Sequence, residues 1–423
     1  MSTEVKRPRR APQRKSTARV RWGAWFDEGS RALDFPTTWD VRTYAPNGGP
    51  DIGTHGIRAA FEQPIGAPTI RQLAKGKRRA CIVVDDLSRP TPAHRLLPPI
   101  IAELETAGIK PEDVLVLAGV ANHRPMMRDD FIKKCGARIV ERCAIKNHFS
   151  WDDCVYVGTT SQGIPVSLNA DFMSCDLRLL VGSIVPHTVT GFSGGAKLVL
   201  PGVASIDTAA QFHGPAGPAT ALATVPPARH VVEEAARLAD VACIVNAIPN
   251  PNRGIAALVV GDVVDAHRVG VEHARRAFAT DTPTGVDVCV LSAYPKDNEF
   301  LQHGLAFSIW LSAPEPITPQ DGTVVVATAS SEGYGFHSLA GPRMRLAGNP
   351  DLRRPVRPRD LVFFAPGINE GDLPDTARHD AILTSRWPDT RNWLNAKHGK
   401  SAKVAVFPCA AIQLARAVCA EIH

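Results

Sequence analysis

The chain of 423 residues carries a formal net charge of +6, with 44% hydrophobic and 21% charged residues. That balance describes an ordinary soluble globular protein with enough chain for two hydrophobic cores. No apolar run reaches membrane-spanning length, which excludes a transmembrane protein at the level of the sequence.

Residues 1–21 hold eight Lys and Arg against the single Glu4 and read as a disordered basic tail, punctuated by Pro8, Pro12 and Gln13. The rest of the chain is close to neutral, so no specific nucleic-acid partner is expected. The tail lacks the apolar segment of a secretory signal, which points to the cytoplasm. Beyond it, short β-branched runs alternate with helical stretches, the pattern of mainly parallel sheets covered by helices. Strands are expected at Cys81–Val84, Val114–Leu117 and Leu177–Val181, with a helix over about Ala93–Ala107. A helix at Val231–Ala239, a strand at Ala242–Val245, an apolar segment to Val260 and a helix over Val263–Ala279 complete a first α/β domain, residues 22–280. The Thr280–Gly285 stretch reads as a linker. Strands at Val288–Leu291, Thr323–Val326, Leu361–Phe364 and Val404–Phe407 then define a second, smaller α/β domain, residues 286–423, with an active-site cleft expected between the two. Nine scattered cysteines with no Cys-x-x-Cys spacing argue for reduced, buried thiols rather than disulfides or a thiolate metal site.

The first three strands each end in a polar loop: Asp85-Asp86-Leu87-Ser88-Arg89-Pro90, Ala121-Asn122-His123-Arg124 and Pro186-His187. Ligands of open α/β sheets bind beyond the carboxyl ends of strands, so these loops can share one crevice. His123 and His187 are candidate proton carriers near neutral pH, and Arg89 suits a carboxylate or phosphate. A glycine-rich turn, Gly191-Phe192-Ser193-Gly194-Gly195-Ala196-Lys197, adds a potential amine nucleophile, and His213 a potential metal ligand. The turn fails as a phosphate-binding P-loop, because Ala196 and Leu198 stand where that motif needs Gly and Ser or Thr. No Gly-x-Gly-x-x-Gly turn follows a strand, which lowers the expectation of an exchangeable nicotinamide cofactor.

Taken in order, Asp85–Pro90, His123-Arg124, Gly158-Thr159-Thr160, Gly163–Val166, Val185-Pro186-His187, Gly191–Lys197, Leu200-Pro201-Gly202, His213 and Tyr294-Pro295-Lys296-Asp297 resemble the nickel-dependent lactate racemase family. The resemblance runs from about Cys81 to Gly335, and the glycine–lysine turn with its downstream histidine is its most specific part. It implies a 2-hydroxy acid racemase or epimerase working by reversible hydride transfer to a nickel(II) pyridinium-3,5-bisthiocarboxylic acid mononucleotide. By that resemblance Lys197 tethers this nickel-pincer nucleotide and His213 is a nickel ligand. His123 and His187 alternate as catalytic acid and base. Asp86, Arg89, Ser193, Gly194 and Gly195 contact the cofactor, and Arg89 and Gln302 the substrate. Separate enzymes that build the cofactor are implied as partners.

Three departures bear on the substrate. Leu305 replaces a family lysine that binds the lactate carboxylate, and Asn122 and Met127 stand where the family has threonine. The expected substrate is therefore a different 2-hydroxy acid, larger or aromatic, with His303 read as a helix-surface residue. Two other readings remain: a metal-dependent hydrolase or lyase using His123, His187 and His213 as ligands, and a non-catalytic binding homologue.

Overall fold

The computed structural model describes residues 16–26, 28–213, 225–339, 352, 355–373 and 381–420. Two six-stranded sheets organise it. The first runs Ile255–Gly261, Cys243–Pro249, Leu177–Ser183, Ala80–Val84, Val114–Ala118, Ala144–Asn147, and is parallel except at its Ile255–Gly261 edge. Uninterrupted runs of apolar residues suit strands buried on both faces. Here Cys81, Val83, Leu115 and Leu117 enter one core, while Ile82, Val84, Val116, Leu179 and Val181 enter the core on the opposite face. The helix Ala93–Thr106 covers the latter face with Leu96, Leu97, Ile100, Ile101 and Leu104.

The second sheet runs Ile382–Thr384, Asp360–Phe364, Thr323–Ala327, Val288–Ser292, Lys403–Phe407, Asp40–Thr43, and all its pairings are parallel. All the strands expected from the apolar runs form. What the runs concealed is the edge: Asp40–Thr43, inside the range expected for the first domain, pairs with Lys403–Phe407 of the second sheet. Four residues with one buried side chain carry too little periodicity to announce such a partner.

The expected disordered tail is corrected over its last residues. Thr17–Trp22 forms an antiparallel hairpin with Gly29–Asp34, and Ala18 and Val20 bury themselves in the second domain's core. Basic residues alternating with apolar ones are a strand with one wet face, which composition alone confuses with disorder. Residues 1–15 lie outside the described residues. All nine cysteines are free and seven are buried, and among the described residues no helix is long and apolar enough to cross a membrane.

Gly261 closes the edge of the first sheet. Ile65 donates its N–H to Val260 O at 2.8 Å and accepts from Asp262 N at 2.8 Å, so its backbone lies directly over Gly261, which sits at φ +145°. A Cβ there would be 2.0 Å from Ile65 O. Gly261→Ala should therefore lower stability by more than about 2 kcal/mol, seen as a lower urea midpoint; an unchanged midpoint would refute this account of the edge.

Candidate functional site

Strand Ala80–Val84 sits between Leu177–Ser183 and Val114–Ala118, the point where the chain's order in the sheet reverses. Connections there leave in opposite directions and open a crevice at the strands' carboxyl ends. The loops after these three strands, together with the 3-10 helix Phe300–Phe307 that follows Val288–Ser292, line a cavity of about 590 Å³. Asp86, Arg89, His123, His187, Ser193, Gly194, Lys197, His213 and Gln302 all line it.

His123 is held from behind. Its Nδ1 lies 2.7 Å from Asp86 Oδ2. Burial works against the Asp86 charge, but the facing His123 and Arg89 and the Ser88 hydroxyl outweigh it and keep the carboxyl well below its usual range. An ionised carboxylate only accepts, so Nδ1 carries the proton and Nε2 presents a lone pair to the cavity. Gln302 Nε2 stands 3.4 Å from that lone pair and also donates to Glu299 Oε1 at 3.0 Å. Ser88 Oγ donates to Asp86 Oδ1, and Arg89 donates to Ser88 Oγ at 2.7 Å. Beneath this loop Lys134, fully buried, pairs with Asp85 at 2.5 Å and donates to Asp86 O and Arg89 O at 2.8 and 3.0 Å.

His187 is set the other way. Backbone N–H groups of Val189 and Thr190 point at its Nδ1 from 3.2 and 3.4 Å, so the neutral ring keeps its proton on Nε2. That Nε2 lies 2.8 Å from Lys197 Nζ. Burial, then the neighbouring Arg89, Arg229 and Lys296 charges, hold the Lys197 amine well below its ordinary pKa, and burial with Lys197 does the same for His187. His187 is therefore neutral at pH 7, and where Lys197 is deprotonated the imidazole N–H can donate to the lone pair of the amine. Lys197 is thus a nucleophile in waiting, the state a covalent tether requires.

The glycine-rich turn serves packing more than ligand approach. A Cβ on Gly194 would fall 2.7 Å from Asn246 Oδ1 and 2.9 Å from Ser183 O, and one on Gly195 would fall 3.1 Å from His267. Gly195 does not line the cavity; its N–H donates to Asn246 Oδ1 at 2.6 Å. Ser193 spends its hydroxyl on Ser183 O at 2.8 Å and on the Val185 N–H at 3.1 Å. Buried Arg229 donates to Phe192 O and, at 3.3 Å, to Gly194 O. Ser193, which lines the cavity, and Gly195, which does not, both brace the backbone of the turn. His213, at the end of helix Ile206–His213, donates from Nδ1 to Ala209 O at 2.8 Å. Burial lowers its pKa to about 4, so Nε2 is an unprotonated donor of the kind a metal ligand must be. One such imidazole and one free amine fit a group that is tethered by lysine and brings most of its own metal donors.

Among the described residues no three His, Cys, Asp or Glu side chains cluster closely enough to hold a metal ion, which overturns the reading of His123, His187 and His213 as a shared ligand set. His303 is likewise corrected: it lines the cavity rather than a helix surface, stacked 4.7 Å from Phe300 with Nδ1 bonded to Phe300 O at 2.7 Å. Leu305 lines the cavity, whereas Met127 is 70% exposed outside it. Glu299 and His337 are among the lining residues that the sequence reading did not single out. A lone acid and a lone histidine far from the strand-end loops carry no spacing signal; only the packing of the second domain brings them here.

Fold and site together define an α/β protein with an enzyme-like cavity, in which two imidazoles of opposite protonation face a free lysine amine. The model of the lactate racemase N-terminal domain matches residues 26–220. The lactate racemase of Lactiplantibacillus plantarum is 27% identical over 384 residues, spanning 83% of this chain and 88% of that protein. That of Thermoanaerobacterium thermosaccharolyticum is 28% identical over 289 residues, 66% of each chain. The structure of the lactate racemase apoprotein from the latter organism superposes with a TM-score of 0.73 at 20% identity, covering 94% of this chain and all of that one. A crystal structure of a Thermotoga maritima protein gives 0.61 at 17% identity, over 82% and 98%. Over residues 26–220 the chain matches the lactate racemase N-terminal domain, and with these relatives it is an isomerase of the racemase type.

Because burial and neighbouring cations hold the Lys197 pKa well below the usual lysine range, its acylation rate should fall less steeply than that of surface lysines as pH falls from 9 to 7. Surface lysines should slow about tenfold per unit over that range. Peptide mapping after brief treatment with an amine-reactive reagent at pH 7 should find Lys197 labelled first. Labelling that falls with pH like that of surface lysines would show the amine is charged.

Proposed function

We propose that this protein racemises or epimerises a 2-hydroxy acid with the help of a nickel-pincer nucleotide tethered to Lys197 and ligated through His213. The observation that carries this is the convergence of His123, His187, Lys197 and His213 on one cavity. Bound there, the nucleotide supplies an electrophilic centre that takes the C2 hydrogen with its electron pair and returns it. Everything else is work for the protein's own side chains.

His123, with its lone pair on Nε2 and its Nδ1–H anchored on Asp86, is poised to take the substrate hydroxyl proton. Asp86 stabilises the imidazolium that results. His187 gives one from its imidazolium, the form that an anionic occupant of the cavity would favour. A substrate lying between them loses its proton to one ring and can regain a proton from the other after C2 has become planar, and the two rings exchange roles in the reverse direction. Gln302, its amide nitrogen turned towards His123 by Glu299, holds the reacting oxygen near the base. Arg89 offers a cation for a carboxylate or for the nucleotide phosphate. Burial and then the Arg89, Arg229 and Lys296 charges lower the pKa of Lys197, so an anionic occupant relieves an unfavourable field.

Coexpression with cofactor-building enzymes should yield protein with an added mass mapped to Lys197 and one nickel per chain. His123→Ala and His187→Ala should keep both and yet lose racemisation in each direction by about 10²-fold or more. His213→Ala should keep the adduct and lose nickel. An unmodified Lys197 in protein that nonetheless racemises would refute the proposal.

A further inference from the structure

The 3-10 helix that carries Gln302 also brings His303 into the cavity, and no step of the proposed reaction uses this ring. It is partly exposed, with its face 4.7 Å from the Phe300 ring at an interplanar angle of 28° and the Phe363 ring set edge-on at 5.1 Å. Its Nδ1 stands 2.7 Å from Phe300 O. A carbonyl oxygen only accepts, so Nδ1 carries the proton. Burial brings the ring's pKa down to about 4, although that carbonyl favours the charged form. The ring is therefore neutral near pH 7 and its other nitrogen, Nε2, is a bare lone pair. Among the described residues Nε2 meets no hydrogen-bond donor, and it is accessible rather than buried. Stacking and the bond to Phe300 O hold the ring still, so the acceptor has one place in the cavity.

A fixed acceptor states what its occupant must offer. Solvent can meet the lone pair of an open cavity, and an occupant that displaces solvent must supply a donor or leave the acceptor unmet. A second carboxylate on the substrate would set lone pair against lone pair. An ammonium would find no counter-ion, because only burial and the Phe300 carbonyl act on His303. Leu301, Leu305 and Phe307 of the same helix line the cavity as well, so whatever carries the donor has apolar neighbours. A neutral hydroxyl on an otherwise apolar group satisfies all three conditions.

Placement decides where on the substrate that hydroxyl sits. Lys197 acts electrostatically on His187 and His213, and His123 acts on His213 and His337, but neither acts on His303. The ring thus stands apart from the proposed tether and the base. Its chain neighbour Gln302 nonetheless reaches to 3.4 Å from His123 Nε2. A substrate whose reacting hydroxyl lies at His123 and Gln302 therefore meets His303 with the far end of its side chain, and an aryl spacer suits the apolar stretch between. Resting on the racemase reading above, we propose that His303 is a substrate-binding residue that accepts a hydrogen bond from a hydroxyl at the far end of the side chain, and that the substrate class is 2-hydroxy acids with a hydroxyaryl substituent.

Two acids that differ by one hydroxyl provide the test. In cofactor-loaded protein, kcat/KM should favour 2-hydroxy-3-(4-hydroxyphenyl)propanoate over 2-hydroxy-3-phenylpropanoate by at least about tenfold. His303→Phe, which keeps the stacked ring and loses the acceptor, should abolish that preference. His303→Gln, whose amide oxygen reaches roughly where Nε2 was, should restore it to at least about threefold. Both variants lose the bond to Phe300 O, so a merely structural role would lower both rates and leave their ratio alone. Nickel content and the Lys197 adduct should match the wild type. No preference in the wild type, a preference that survives in the Phe variant, a Gln variant no better than Phe, or loss of nickel or adduct would overturn the proposal.

Calorimetric binding of the same two acids to the unloaded protein separates this from the parent reading. A hydroxyl preference of at least about tenfold that vanishes in His303→Phe supports the assignment even where neither acid is racemised, an outcome that sinks the racemase reading alone. Racemisation of both acids without preference sinks the assignment and leaves the racemase reading standing. Wild-type protein that neither binds nor racemises either acid also sinks the assignment.

Discussion

A single buried ammonium organises the site. Lys134 has no exposed surface, yet it bridges the Asp85 carboxylate and the carbonyls of Asp86 and Arg89. Its Nζ also lies 4.9 Å from the centre of the Trp25 ring, while the Trp25 indole donates to Arg89 O at 3.2 Å. Burying a lysine this fully costs several kcal/mol unless its hydrogens and charge are met. Here they are met by the loop it supports, so the loop has one conformation in which that cost is offset. Asp86 is aimed at His123 and Arg89 at the cavity because the backbone between them is pinned from below.

The same logic joins the two halves of the chain. Arg124, next to His123, pairs with Asp130 of its own domain at 2.7 Å and with Glu332 of the other. Buried Lys296 donates to Pro186 O at 3.2 Å, one residue before His187. Asp297 accepts from Gly23 N and Ala24 N at 2.8 and 3.1 Å. Each contact couples a cavity-lining loop to a group across the molecule, and each is largely shielded from water, where breaking it strands a charge or a polar backbone group. The Tyr294–Asp297 segment thus earns its place as a joint as much as a binding element.

Protonation is divided by local hydrogen bonding. A carboxylate behind His123 and backbone N–H groups behind His187 place the proton on opposite nitrogens of the two rings, and a carbonyl behind His213 frees the nitrogen a metal needs. Three histidines in one low-dielectric cavity therefore take three different parts without any difference in residue type. The pattern also explains why the Lys197 pKa is lowered: burial removes the water that favours the ammonium, and Arg89, Arg229 and Lys296 are its charged neighbours.

Much of this was readable from residues alone. Apolar runs such as Cys81–Val84 and Leu177–Val181 announce buried parallel strands because both faces must be apolar, and the polar segments that follow them mark the crevice. The short edge strand Asp40–Thr43 and the hairpin at Thr17–Trp22 were not readable, since half-exposed strands with basic residues look like solvated chain. The packing role of Gly194 and Gly195 was not readable, because a glycine signals that something lies close, not whether that neighbour is ligand or protein. His337 was invisible as a site residue because it has no local pattern, and His303 was visible only through its place beside Gln302.

By itself the sequence determined the α/β class, the strand-end loops and the lysine–histidine grouping that marks the family, since these follow from periodicity and spacing along one chain. Only the tertiary structure decided which nitrogen of each histidine carries a proton, which glycines serve packing, and which side chains of the second domain reach the cavity. Some partners are near in sequence, as Val189 is to His187, and others are remote, as Gln302 is to His123, and hydrogen bonding and desolvation act through space rather than along the backbone.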